Sequence, residues 1–131
     1  MKLLLDTHIW LWAVGAPQKL SRRVTSVLRK NASEVWLSPV SIWELHTLTK
    51  KGRINLRKDI GEWIANAFVL LPVREAPLTN AVALEVTKLR LPHDDPADAF
   101  LAATANVFEL TLVTGDEKLL ATKHISTLAN D

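Results

Sequence analysis

Short, unbroken apolar runs alternate with helix-start signals along the whole chain, and this alternation limits the fold more than any other feature. Leu3–Leu5 is apolar without a polar partner at alternate positions and ends at Asp6. A strand of that kind is buried on both faces, as in a parallel sheet. A helical stretch through 9–12 follows and ends near Gly15-Ala16-Pro17, and Ser21 can cap a helix running to about Lys30. Val35–Leu37 reads as the second strand. Ser38 then offers an N-cap and Pro39 a first helical position, which starts a helix reaching about Lys51 and stopping at Gly52.

The same grammar continues. Asp59 caps a helix through Phe68, and 69–73 is predicted as the third strand. A helix from Thr79 to about Lys88 leads into a polar loop over 90–94. Asp95-Pro96 opens an Ala-rich helix over 97–107. A fourth strand is expected at 110–113, a short helix at 117–121 and a last short strand at 124–126. Together these predict an α/β fold, a parallel sheet with helices on both faces, in one domain spanning 1–131.

Composition narrows the chemistry. With 131 residues and 48% hydrophobic content, the chain can fill one sizeable core. It has no cysteine, which excludes disulfides and thiolate catalysis and suits a reducing cytoplasm. The apolar N-terminal run is cut by Asp6 and His8, too early for a signal-peptide core, so a soluble intracellular protein is expected. Net charge is +2, and Lys50, Lys51, Arg53, Arg57 and Lys58 crowd into nine positions. Such a cluster can bind phosphates, although a solvated helix end reads the same way.

The acids matter because of where a parallel sheet puts them. Asp6 directly follows the first strand and Asp116 follows the fourth, so both fall at the carboxyl edge. Ligands bind at that edge in open α/β sheets. Glu44 lies about two turns into the helix leaving strand two at the same edge, and Asp98 lies in the first turn of its helix. Each has an ordinary role available. Asp6 can be a turn residue, Glu44 an exposed helix residue, Asp98 part of a capping box with Asp95, and Asp116 an N-cap. Brought together, four carboxylates repel one another, and a divalent cation removes the conflict. Oxygen-only ligands suit Mg²⁺ or Mn²⁺. A bound cation can activate water and stabilise the leaving oxygen of a phosphodiester.

Other chemistries have less support. His8, His46, His93 and His124 show no zinc spacing, and a structural role is the simpler reading of each. The five Trp fall mostly in apolar segments and read as core. The four Gly are scattered, so no phosphate loop is present. A phosphoacceptor receiver domain would need paired acids after strand one and a strand-end Asp in mid-sheet. Here Asp6 is followed by Thr7-His8, and Asp59 opens a helix.

Four segments resemble the PIN-domain nucleases, and among them the VapC-type toxins of toxin–antitoxin pairs. They are LLLDTHIWLW at 3–12, SPVSIWEL at 38–45, HDDPADAFLAATA at 93–105 and LTLVTGDEKL at 110–119. The resemblance implies an α/β/α sandwich and a Mg²⁺- or Mn²⁺-dependent endoribonuclease. Asp6, Glu44, Asp98 and Asp116 would be its catalytic and metal-binding acids. It also implies supporting places for Thr7, Thr114 and Asp95. Structured RNA such as tRNA or ribosomal RNA would be the substrate, with an antitoxin partner and a homodimer. Lys50, Lys51 and Arg53 are the candidate RNA contacts. Where many relatives carry a bulky aromatic before the equivalent of Asp98, this chain has Ala97. A PIN-like fold without a working metal site, acting as an RNA-binding scaffold, is the alternative.

Overall fold

The computed structural model describes residues 1–91 and 94–131, and its elements follow the alternation read from the sequence. They are β1 (Leu3–Leu5), α1 (Thr7–Gly15), α2 (Arg22–Lys30), β2 (Val35–Leu37), α3 (Pro39–Lys50) and α4 (Ile60–Leu70). After these come β3 (Arg74–Glu75), α5 (Asn80–Lys88), α6 (Pro96–Val107), β4 (Thr111–Thr114), α7 (Glu117–Leu120) and β5 (Thr127–Ala129). The strands form one sheet in the order β3-β2-β1-β4-β5, and every pairing is parallel.

The period-2 alternation of strand side chains divides the core into two layers. Leu3 and Leu5 of β1 join Val35, Leu37, Val113 and Leu128 on one face, under α1, α2 and α4. Leu4 and Leu112 point the other way and meet Leu101 and Ala105 of α6 and Leu119 of α7. Ala97 is buried in this second layer. The helix starts are capped as expected. Ser21, Ser38, Asp59, Thr79 and Asp95 each accept from backbone N–H groups of the first turn.

Three strand boundaries differ from the sequence reading. The predicted strand at 69–73 is not one: Val69 and Leu70 complete α4, and the strand is the pair Arg74–Glu75. An apolar β-branched run is ambiguous between helix and strand. Here the ladder begun at Asp59 carries through to the Leu71 N–H, which donates to the Ala67 carbonyl. As an edge strand, β3 can be polar and short. The last strand lies at Thr127–Ala129 rather than 124–126. His124 takes a left-handed φ of 69° and turns the chain before that strand begins. Finally, β4 starts at Thr111, because the Leu110 N–H closes the end of α6 on the Ala105 carbonyl. In the predicted loop at 90–94, residues 92 and 93 lie outside the described residues, and so does the reading of His93.

Leu101 is fully buried between α6 and the sheet, whereas Leu84 on α5 is 59% exposed. Leu101→Ala should destabilise the protein by about 2–5 kcal/mol through lost burial and a residual cavity. Leu84→Ala should shift stability by less than about 0.5 kcal/mol. Chemical denaturation of the two variants checks the layer assignment.

Candidate active site

The carboxyl edge of the sheet collects the acids. The Asp6 N–H donates to the Val113 carbonyl at 3.0 Å, so the β1–β4 pairing runs one residue past β1 and fixes the Asp6 backbone. The Asp6 carboxylate is then held at both oxygens. Oδ1 accepts from the Thr7 N–H at 2.7 Å, which caps α1, and Oδ2 accepts from the Thr114 hydroxyl at 2.6 Å. Thr114 Oγ1 in turn accepts from the Asp116 N–H at 3.0 Å. Asp116 caps α7 through the Lys118 N–H at 2.8 Å. One hydroxyl therefore ties the two strand-end acids into a single unit.

The other acids arrive on helices. On α3, Glu44 accepts from the Thr7 hydroxyl, and that hydroxyl also lies 2.9 Å from Ser41 Oγ. Asp95 Oδ1 caps α6, accepting from the Ala97 N–H at 3.0 Å and the Asp98 N–H at 3.2 Å. Asp98 follows in the first turn, buried at 7% exposure. Asp6, Glu44, Asp95, Asp98 and Asp116 line one cleft of about 280 Å³. Among the described residues, its other walls come from His8, Trp12 and Gly115.

Burial sets the electrostatics. It pushes the Asp6 carboxyl above its ordinary value, against the pull of the Thr114 and Thr7 hydrogen bonds. Burial also raises Glu44, to about 7, and the negative charges of Asp6, Asp95 and Asp98 add to the rise. Thr7 works in the opposite direction. The N-termini of α1 and α6 meet the carboxylates of Asp6 and Asp95, and their positive dipole ends soften the repulsion. The donor set is all hard oxygen, and burial pushes two of its acids, Asp6 and Glu44, toward the neutral form; a hard divalent cation would suit such a set. Among the described residues no three acids already stand as a closed ligand cage. Oxygens of Asp6 and Glu44 are instead engaged by Thr114 and Thr7.

The structure thus brings together Asp6, Glu44, Asp98 and Asp116, together with Thr7, Thr114 and Asp95. It does not bring the basic residues there. Lys50 ends α3, Lys51 caps it, and these two and Arg53 are exposed and line no part of the cleft. Sequence reasoning missed three contributors. Ser41 stands beside Thr7, while His8 and Trp12 form a cleft wall. The signal for the last two was the four-residue spacing directly after Asp6, which puts both on one helix face. Trp12 is therefore not a plain core residue, and Trp43 is exposed at 55%.

Residues 3–125 match the PIN domain. Ribonuclease VapC22 of Mycobacterium tuberculosis (strain ATCC 25618 / H37Rv) is 32% identical over 125 residues, covering 93% of this chain and 92% of that protein. The fold is similar to a chain in the crystal structure of VapBC2 from Rickettsia felis bound to a DNA fragment from its promoter. The TM-score is 0.75 at 18% identity, over 100% of both chains. It is also similar to a chain of a toxin–antitoxin complex from Klebsiella pneumoniae, with a TM-score of 0.64, 19% identity, and coverage of 99% of this chain and 98% of that one. On the match over residues 3–125 and the similarity to VapC22, the chain belongs to the PIN-domain family, among its VapC-type members.

Proposed function

We propose that the chain is a Mg²⁺- or Mn²⁺-dependent endoribonuclease acting as the toxin of a toxin–antitoxin pair. The observation that carries this reading is the convergence of Asp6, Glu44, Asp98 and Asp116 on one cleft at the carboxyl edge of the sheet. The name of VapC22 supports RNA as the substrate, and the Klebsiella complex supports an antitoxin partner. Structured RNA such as tRNA or ribosomal RNA, a homodimer and a cytoplasmic site of action belong to the same reading.

Asp6, Asp98, Asp116 and Glu44 would hold the cation. Once bound, a divalent cation supplies an activated water and charge stabilisation for the leaving oxygen. The protein's own residues do the rest. Thr7 and Thr114 orient Glu44 and Asp6, and Asp95 fixes the first turn of α6 that presents Asp98. Cleavage of total RNA should stop on chelation with EDTA and return with Mg²⁺ or Mn²⁺. It should be absent in Asp6→Asn and Asp98→Asn, whose melting temperatures stay level or rise as repulsion falls. Undiminished cleavage after thorough chelation would falsify the metal mechanism.

The raised carboxyls set a pH dependence. The folded state holds more protons than the unfolded chain between the ordinary Glu44 value of 4.5 and about 7, so stability is highest below that window. It falls as pH rises through about 7, and Asp6 acts in the same direction. Metal-free protein should melt at lower temperature at pH 8 than at pH 5. Saturating Mg²⁺ should shrink the difference, and Glu44→Gln should remove part of it. A Glu44→Gln protein with an unchanged pH slope would place the titration elsewhere.

An acidic cleft repels a polyanion, so RNA needs positive charge nearby, and we assign that task to Lys50, Lys51 and Arg53. At about 1.5 Å rise per residue, Lys50 lies roughly 9 Å along α3 from Glu44. Replacing the three with Ala should weaken RNA binding. The log–log salt slope should fall by about 0.7 for each lost contact to single-stranded RNA. Unchanged affinity and slope across a salt series would exclude them.

A further inference from the structure

Of the described residues lining the acid cleft, His8 and Trp12 are the ones that offer ring faces. They come from the same short helix as Trp10, and the helical turn sorts them. Two residues on from Trp10, Trp12 is rotated by roughly 200°, so the two indoles point to opposite sides of α1. Trp10 is fully buried, with its ring edge-on to Trp63 at 5.4 Å. Trp12 packs only partly on the core and leaves a surface on the cleft. His8, one turn earlier and exposed, stands 6.0 Å from it with the rings inclined at 57°. The Lys19 ammonium lies over the Trp12 ring, 5.7 Å from its centroid. That places a positive charge next to a strongly acidic site.

Trp12 packs part of its ring on the core and leaves part on the cleft wall, a large, rigid, half-buried aromatic surface. It suits a planar ligand. Trp12 lies about 9 Å along the axis from the Asp6 cap position. That is within the reach of one nucleotide from a phosphodiester held by the acids. Bases stack on aromatic rings whatever their identity, since each has a π-face.

We propose that Trp12 and His8 form a nucleobase-stacking subsite on the wall of the acid cleft. It takes the base of a single-stranded nucleotide next to the phosphodiester held by the acids. The inference rests on the ribonuclease reading and deepens it. It requires RNA to enter the cleft locally unpaired, with one base turned against the indole. Trp12 thereby positions the chain of the substrate, and the acids act on it.

The test is a cycle between protein and RNA. The probe is a fluorescein-labelled oligouridylate hexamer, with a series in which each position in turn carries an abasic ribose. Binding is read by fluorescence anisotropy in Ca²⁺, and probe integrity is checked on a gel. For the wild-type protein, one abasic position should weaken binding roughly 5- to 100-fold. That penalty should nearly vanish in Trp12→Leu, which keeps apolar bulk without a π-face, and return in Trp12→Phe. Thermal melts verify that each variant is folded. If Trp12→Leu does not fold, His8→Ala, at an exposed position, runs the same cycle and should reduce the penalty. An equal abasic penalty in wild type and variant overturns the subsite. Cleavage of long RNA with no base dependence in probe binding also overturns the subsite alone. A protein that neither binds the probe nor cleaves any RNA overturns the nuclease reading, and the subsite with it.

Discussion

The parallel pairing of β1 with β4 joins residues more than a hundred positions apart, and the site exists because of it. It puts the carboxyl ends of the two central strands side by side. The Asp6 amide then continues the ladder onto Val113, and the Thr114 hydroxyl reaches the Asp6 carboxylate. From that fixed pair the rest follows by direction. Helices leaving β1, β2 and β4 start at the same edge, so α1 carries Thr7, α3 carries Glu44 and α7 is opened by Asp116. Asp95 and Asp98 depend on a different arrangement, the packing of α6 beneath Leu4 and Leu112.

A cluster of carboxylates in a partly buried cleft is destabilising in isolation, and the fold answers it locally. Each of the two threonines beside the site donates its hydroxyl to one acid. Backbone N–H groups at helix starts hold three more oxygens, on Asp6, Asp95 and Asp116. The hydrogen bonds to Asp6 and Glu44 pull those two carboxyls down, yet burial still prevails at both. The balance leaves a site that is folded and under electrostatic tension, which a cation would relieve.

The order of elements and the position of the acids were legible in the sequence because both depend on local signals. Ser38-Pro39 and Asp95-Pro96 announce helix starts, and Leu3–Leu5 ending at Asp6 announces a strand end. What was not legible depends on partners distant in sequence. Arg74–Glu75 becomes a strand only because β2 offers it an edge, and nothing in its polar side chains says so. The apolar 69–73 run looked more like a strand than the real one. Trp12 packs on the core, as its apolar segment suggests, but its second surface on the cleft is hidden from the sequence for a related reason. Composition places tryptophan in cores, while its actual setting is decided by the angle between it and Trp10 on α1.

The competing readings of the acids were never true alternatives. Asp6, Asp95 and Asp116 are N-caps, as their positions before helices suggested, and they also face the cleft. Capping supplies the geometry that catalysis needs, since a cap residue has its backbone held in extended form and its carboxylate tethered to the first turn. This dual use decides which substitutions are informative. Asn preserves the side-chain oxygen that accepts from the backbone and ranks with Asp as a cap, so it removes charge while the helix start survives. Ala would remove charge and cap together, at about 0.5–2 kcal/mol. Loss of activity in an Ala variant would then confuse a missing ligand with a frayed helix. At Asp95 and Asp116 the charge and the capping hydrogen bond are separable in this way, whereas at Asp6 the amide keeps the Thr7 contact and turns an NH2 toward Thr114 in place of the accepting oxygen.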